Sequence, residues 1–169
     1  MEEGSATERQ ILSLRALSGD DWREWRELRL QALAEAPYAF SSTLAEWTGP
    51  GDSEERWRRR LADVAYNVLA VSEGQAVGMV SCTSAVGEEV ELVSMWVAPW
   101  ARGRGVGDAL VEAVVTRATE QGARRVVLAV WEHNEHAVEL YLRHGFVDGG
   151  PSATCPEGPD AERKMVREI

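Results

Sequence analysis

The residues with the most to offer chemically lie in the run Val97-Ala98-Pro99-Trp100-Ala101-Arg102-Gly103-Arg104-Gly105-Val106-Gly107-Asp108. Gly103, Gly105 and Gly107 occupy alternate positions, and Arg102 and Arg104 each precede a glycine. A strand pattern ends at Pro99, which cannot donate to a sheet ladder, and a helix pattern begins at Val106. The first N–H groups of a helix have no partner inside it, and the helix dipole adds partial positive charge there. Such a loop can therefore cradle an anion. Glycine lets the backbone approach a phosphate with no side chain in between. The spacing is neither that of a P-loop, which needs Gly-Lys-Ser/Thr, nor the Gly-x-Gly-x-x-Gly of a dinucleotide fold. A simple strand-to-helix turn is the plainer alternative, but it requires neither two arginines nor three glycines.

A second pattern is Asn134-x-x-Ala137-x-x-x-Tyr141-x-x-x-Gly145-Phe146. It follows an apolar run and closes on a helix stop. Asn134 can cap the helix. Tyr141 shares a helix face with Ala137, and the plainer alternative for it is a core aromatic. Together, Met95-x-Val97-x-Pro99, Arg102-x-x-Gly105-x-Gly107 and this second motif resemble the GCN5-related N-acetyltransferase (GNAT) family. The resemblance is good over about residues 68–147. It is loose over the N-terminal part, where Leu28-Arg29-Leu30-x-Ala32-Leu33 and Pro37-x-Ala39-Phe40 carry it.

That resemblance implies acetyl-CoA as cosubstrate, no metal, and direct attack of a primary amine on the thioester. The amine could belong to a small molecule, a polyamine or a peptide. It implies that Met95, Trp96 and Val97 pair with the pantetheine and that an N–H near Val97 meets the developing oxyanion. The pyrophosphate would sit on Arg102, Gly103, Arg104, Gly105, Val106, Gly107 and Asp108, with Asn134 available to the pantetheine. Tyr141 becomes the candidate general acid for the departing thiolate, because a phenol (pKa about 10) lies above a thiol (about 8.5). Glu91, eleven positions before Arg102, is the candidate general base, and Glu132 is a second. Either could instead only attract a cationic acceptor. A noncatalytic CoA-binding or sensor domain of the same fold is the alternative, and it could dispense with Tyr141. The resemblance is compatible with a homodimer.

Other signals are weaker. His133 and His136 form His-x-x-His without a third ligand at zinc spacing. Trp96, Trp100 and Trp131 border the expected cleft. The stretch Tyr38–Thr43 reads either as acceptor-pocket wall or as a packed connector. Of 169 residues, 44% are hydrophobic and 27% charged, as in globular proteins. The net charge of −10 argues against nucleic acid and favours a cationic acceptor. Cys82 and Cys155 have no framework spacing and suggest reduced thiols. No leader and no membrane-spanning run is visible, so a cytoplasmic location is expected.

These residues need elements to position them. The pattern predicts a loose N-terminus over residues 1–8 and one domain over 9–169. Within it fall a strand near Gln10–Ala16, a helix from Trp22 to Ala34 ended by Pro37, and a second helix capped at Asp52 or Ser53. Strands over Asn67–Ser72 and Ala76–Thr83 are joined by a short hairpin, and Glu88–Val97 forms the next. A helix from Val106 to Gln121 stops at Gly122. The apolar run Arg124–Val130 reads as a strand buried on both faces and parallel to the preceding one. A helix from Asn134 to His144, a strand start at Phe146-Val147, a mobile loop over Asp148–Asp160 and a last strand over Arg163–Val166 follow. The expected fold class is α+β: a mixed, largely antiparallel sheet of six or seven strands with about four helices on its faces.

Overall fold

The computed structural model describes residues 11–169; the segment expected to be loose, 1–8, lies outside the described residues. Seven strands form one sheet in the order β1-β2-β3-β4-β5-β7-β6. They are β1 (Leu12–Ala16), β2 (Tyr66–Ser72), β3 (Gln75–Cys82), β4 (Glu89–Val97), β5 (Arg125–Trp131), β6 (Val147–Pro151) and β7 (Glu162–Glu168). Four α-helices accompany them: α1 (Trp22–Glu35), α2 (Glu54–Asp63), α3 (Val106–Glu120) and α4 (Glu135–Arg143). Every neighbouring pair is antiparallel except β4–β5, the pair joined through α3. The loop expected over 148–160 begins later than the pattern predicts. Val147, Asp148 and Pro151 pair with β7, because an edge strand beside an antiparallel partner tolerates the glycines and the proline.

Local chemistry explains the helix starts. Ser53 Oγ accepts from the Arg56 N–H at 3.3 Å, which makes Ser53 the cap of α2. Asn134 Oδ1 accepts from Ala137 N at 3.4 Å and caps α4. Ser18 and Asp21 form a reciprocal capping box just before α1. The β2–β3 hairpin closes on Glu73 and Gly74, both with positive φ.

The period-two alternation of β3 assigns the sheet's two faces. A Cβ on Gly78 would meet Leu110 Cδ1 and Val106 Cγ1, each at 3.0 Å, so α3 lies on that face. Ser81, three positions on and therefore on the opposite face, accepts from Arg60 of α2 at 3.3 Å. Trp96 of β4, opposite Met79, donates its indole N–H to Glu35 of α1. The layers are thus α1 and α2 on one face and α3 on the other. Trp25, Trp57, Leu69, Met79, Val80, Leu110, Val111 and Val114 are fully buried between them.

Asp52 ties the helices of the first layer together. Its carboxylate accepts from Arg26 Nε at 2.7 Å and from Trp57 Nε1 at 2.8 Å. Arg26 first, and the Trp57 N–H second, hold the Asp52 carboxyl down at about 2. A carboxyl depressed by folding stabilises the protein above its unfolded pKa, and that contribution is lost as pH falls through the folded value. The melting-temperature advantage of wild type over Asp52→Asn should be full above about pH 4 and gone near pH 2; a pH-independent gap would exclude the ion pair as its cause. Gly78→Val should destabilise by about 1–3 kcal/mol in urea unfolding, because its extra atoms enter the α3 contact. An unchanged midpoint would mean that α3 does not pack there.

Candidate active site

The parallel pair β4–β5 is in register at Glu89↔Arg125, Val90↔Val126 and Glu91↔Val127 and no further. Beyond it β4 remains paired to β3, and β5 to β7. The change coincides with Ser94, which has φ +56°, and with a register shift in the β3–β4 ladder. From there β4 presents its free edge to a gap. Ala98 N bonds Val77 O at 2.8 Å, so ladder alternation turns the backbone of Val97, and of Met95 two residues earlier, toward that gap. Arg102 Nε already occupies the Val97 carbonyl at 3.0 Å, which leaves the Val97 N–H facing the opening.

At the end of β4 the chain turns through Pro99–Ala101 into the glycine loop. Gly103 and Gly105 have φ of +73° and +80°, and a Cβ on either would meet nothing within 4 Å. The first amide of α3 to reach a backbone carbonyl is that of Ala109, onto Gly105 at 3.0 Å. Among the described residues the amides of Gly103, Gly105, Val106, Gly107 and Asp108 take no such partner. This is the donor arrangement an anion requires. Gly107 serves a different purpose: a Cβ there would meet Leu140 Cδ2 at 3.1 Å and Met95 Cε at 3.6 Å. Its bareness lets α4 and β4 close on the start of α3.

The remaining sequence-derived residues are placed as follows. Arg102 pairs with Glu35 at 3.0 Å, and the same Glu35 oxygen accepts from Trp96 Nε1 at 2.8 Å. The Asp108 side chain turns away from the loop to Arg143 at 2.8 Å and His144 at 2.7 Å, so only its backbone N–H is available at the cradle. His144 first and Arg143 second hold its carboxyl below the usual range. Asn134 is engaged as a helix cap, the plainer of its two expected roles. Tyr141 is buried, its ring edge-on to Phe146 at 5.6 Å, and burial alone pushes its phenol upward. Glu91 is exposed and, by alternation with Val93, lies on the α1/α2 face at the last register position before the gap opens. Glu132 pairs with Arg163 at 3.6 Å and lines an open groove under α4 with Val130, Val138 and Leu142.

The α1–α2 connector reaches the same region. Tyr38 lies 5.4 Å from the ring of Trp131 at the end of β5, and Trp131 lies 5.1 Å from His133. Sequence reasoning missed Glu35, which tethers both a strand residue and the glycine loop. It also missed Arg29 and Arg60. Arg29 is 7% exposed. Burial, followed by the charge of Arg60, lowers its guanidinium to about 10, and burial lowers Arg60 to about 10, so both are protonated at neutral pH. The signal was available in the spacing Trp25, Leu28, Arg29, Ala32, where an arginine falls inside the apolar stripe of α1.

Comparison with known proteins agrees with this geometry. A family model described as "Acetyltransferase (GNAT) family" matches residues 20–146. An uncharacterized N-acetyltransferase of Mycobacterium tuberculosis is 28% identical over 139 residues, covering 81% of this chain and 89% of that protein. Among solved structures, a GNAT-family acetyltransferase of Streptococcus pneumoniae superposes with a TM-score of 0.76 at 24% identity, over 94% of this chain and 100% of that one. The PaiA N-acetyltransferase of Thermoplasma acidophilum, solved in complex with coenzyme A, gives 0.73 at 15% identity, over 94% and 99%. Among the described residues no helix is long and apolar enough to cross a membrane, and no group of three or more His, Cys, Asp or Glu side chains could hold a metal ion.

Glu35→Ala should destabilise the fold by about 1–3 kcal/mol, because it strips the acceptor from the indole N–H of Trp96, a residue only 5% exposed. Glu35→Gln, which keeps an acceptor oxygen, should recover most of that. Equal urea midpoints for the two variants would show that the charge, and not the hydrogen bond, matters.

Proposed function

Because this chain belongs to the acetyltransferase (GNAT) family and is an N-acetyltransferase, we propose that it transfers an acetyl group from acetyl-CoA to a primary amine by direct attack on the thioester. The observation that carries the cofactor assignment is the coincidence of two sets of unsatisfied backbone groups. The unpaired amides of Gly103, Gly105, Val106, Gly107 and Asp108 suit a diphosphate, and the free edge of β4, with the Met95 backbone and the Val97 N–H, suits the amides of a pantetheine arm. A diphosphate and a chain of amides need both, one after the other, as β4 and the loop present them. Bound acetyl-CoA supplies the activated acyl carbonyl; the chain supplies the positioning.

In this reading Arg104 adds charge at the cradle. Arg102 acts through its contacts to Glu35 and to the Val97 carbonyl, holding loop and strand together. The Val97 N–H faces the gap and is the donor placed to stabilise negative charge on the carbonyl oxygen. Tyr141 keeps its proton across the working pH range, because burial raises its phenol, and it donates that proton to the leaving sulfur. Glu91 takes the proton from the attacking amine, through water, from the face that carries α1 and α2. Asn134 contributes as the cap that fixes the start of α4, and hence the height of Tyr141.

Tyr141→Phe should lower kcat by roughly 10²–10⁴-fold, with little change in CoA affinity by calorimetry. Glu91→Gln should lower kcat with little change in CoA affinity. Thiol release from acetyl-CoA across an amine panel tests the reaction itself. Tight CoA binding without turnover on any amine would favour a noncatalytic CoA sensor of the same fold. An undiminished rate in Tyr141→Phe would remove Tyr141 from the mechanism.

A further inference from the structure

The α1/α2 side of the gap carries a charge arrangement that acyl transfer does not use. The Nη1 of Arg29 is fully enclosed with no hydrogen-bond partner, and its guanidinium rests 4.4 Å from the ring of Phe40. The Trp25 indole N–H, one turn earlier on the same face of α1, is also buried without an acceptor. Arg60 lies 5.1 Å from the Trp25 ring and donates only to neutral groups: Asn67 Oδ1 at 3.0 Å, Ser81 Oγ at 3.3 Å and Ser94 Oγ at 3.0 Å. Among the described residues neither arginine makes an ion pair, and the charge that acts on Arg29 is the like charge of Arg60. Asp63 acts on Arg60 only at a distance.

A buried cation such as Arg29, beside the half-buried like charge of Arg60 and with no counter-ion among the described residues, is retained where an anion completes the site. We propose that Arg29 and Arg60 bind the carboxylate of the acceptor, so that the amine acetylated here belongs to a small amino carboxylate and not to a polyamine. The placement suits this. Ser94, which holds Arg60, is the bulge residue immediately before Met95, where β4 turns its edge to the gap. Glu91, on the same face of β4, offers a negative charge to the ammonium end of the same molecule. A zwitterion would therefore span from guanidinium to carboxylate across the mouth of the gap. The covering residue, Phe40, belongs to a connector of short 3-10 turns and not to a packed helix. The negative net charge of the whole chain does not describe this spot, where the buried Arg29 and the half-buried Arg60 are both positive. The assignment rests on the transferase reading above.

The test is thiol release from acetyl-CoA with matched acceptors: an amino acid, its carboxamide, and the corresponding amine with no carboxylate. Wild type should prefer the carboxylate-bearing member by roughly 100-fold in kcat/KM, the scale of a desolvated charge pair. Arg29→Met and Arg60→Met should each shrink that ratio to within a few fold. Arg29→Met should also melt no lower than wild type, since it removes an unpaired buried charge; a residue kept for structure would behave in the opposite way. A wild-type ratio near one overturns the proposal and leaves the transferase reading intact, and it decides the matter even if a variant does not fold. Full preference retained in both variants overturns it equally. Should no amine release thiol, melting of the CoA-loaded protein with amino acids decides instead. A rise abolished in Arg29→Met supports the carboxylate site, and no rise overturns it. Calorimetry with CoA alone judges the cofactor reading separately.

Discussion

The separation of β4 from β5 is the constraint on which the rest depends. Two parallel strands joined by a helix would ordinarily stay hydrogen-bonded along their length, and here the register ends at Glu91↔Val127. Ser94 supplies the cause. A non-glycine residue at φ +56° bends the strand and shifts its register against β3, so β4 leaves β5 while keeping its other partner. Because β3 and β7 pair with the two strands from outside, each strand keeps a partner while the gap stays open. Its walls are backbone groups of the kind that folded proteins rarely leave unused.

The glycine loop depends on that separation. The anion cradle at the start of α3 has value only if α3 stands beside the end of β4, and two glycines secure this by what they lack. Gly78 admits Val106 and Leu110 against β3, and Gly107 admits Leu140 and Met95 against α3. A polar seam then joins α3 to α4. His144 bridges Asp108 and Glu112 at 2.7 Å each, while Arg143 and Arg167 add their charges to the same two carboxylates. Loop, strand and helix are thus one assembly, and Glu35 ties α1 into it through Trp96 and Arg102.

Charge is organised locally and not by total. The chain carries a net −10, yet arginines stand at the cradle and two more, Arg29 buried and Arg60 half-buried, lie behind the bulge of β4. Several acidic side chains elsewhere join elements through ion pairs, as Asp52 does with Arg26 and Glu89 with Arg125. Average charge predicts solubility and long-range attraction, whereas recognition is set by the few groups that lose their water.

What was legible in the amino-acid order was whatever has a local cause. Periodicity, caps and breakers are neighbour effects, and they placed α1 through α4 and the strands to within a few residues; the motifs from Arg102 and Asn134 gave the family. Only the start of β6, at Val147, was legible, because the residues that continue it, Asp148-Gly149-Gly150-Pro151, have no strand propensity of their own and belong to it only because β7 is there to pair with. The site was legible in part. The glycine spacing pointed to the loop and the cap role of Asn134 is local, three residues from its partner, whereas the packing of Gly107 against Leu140 and the pairing of the Asp108 side chain with Arg143 and His144 depend on residues far along the chain. Glu35, Arg29 and Arg60 could be assigned only in three dimensions. A side chain in an apolar stripe does not reveal whether a carboxylate faces it from another helix, and only the packing of α1 and α2 on the sheet determined that, among the described residues, none pairs with Arg29 or Arg60.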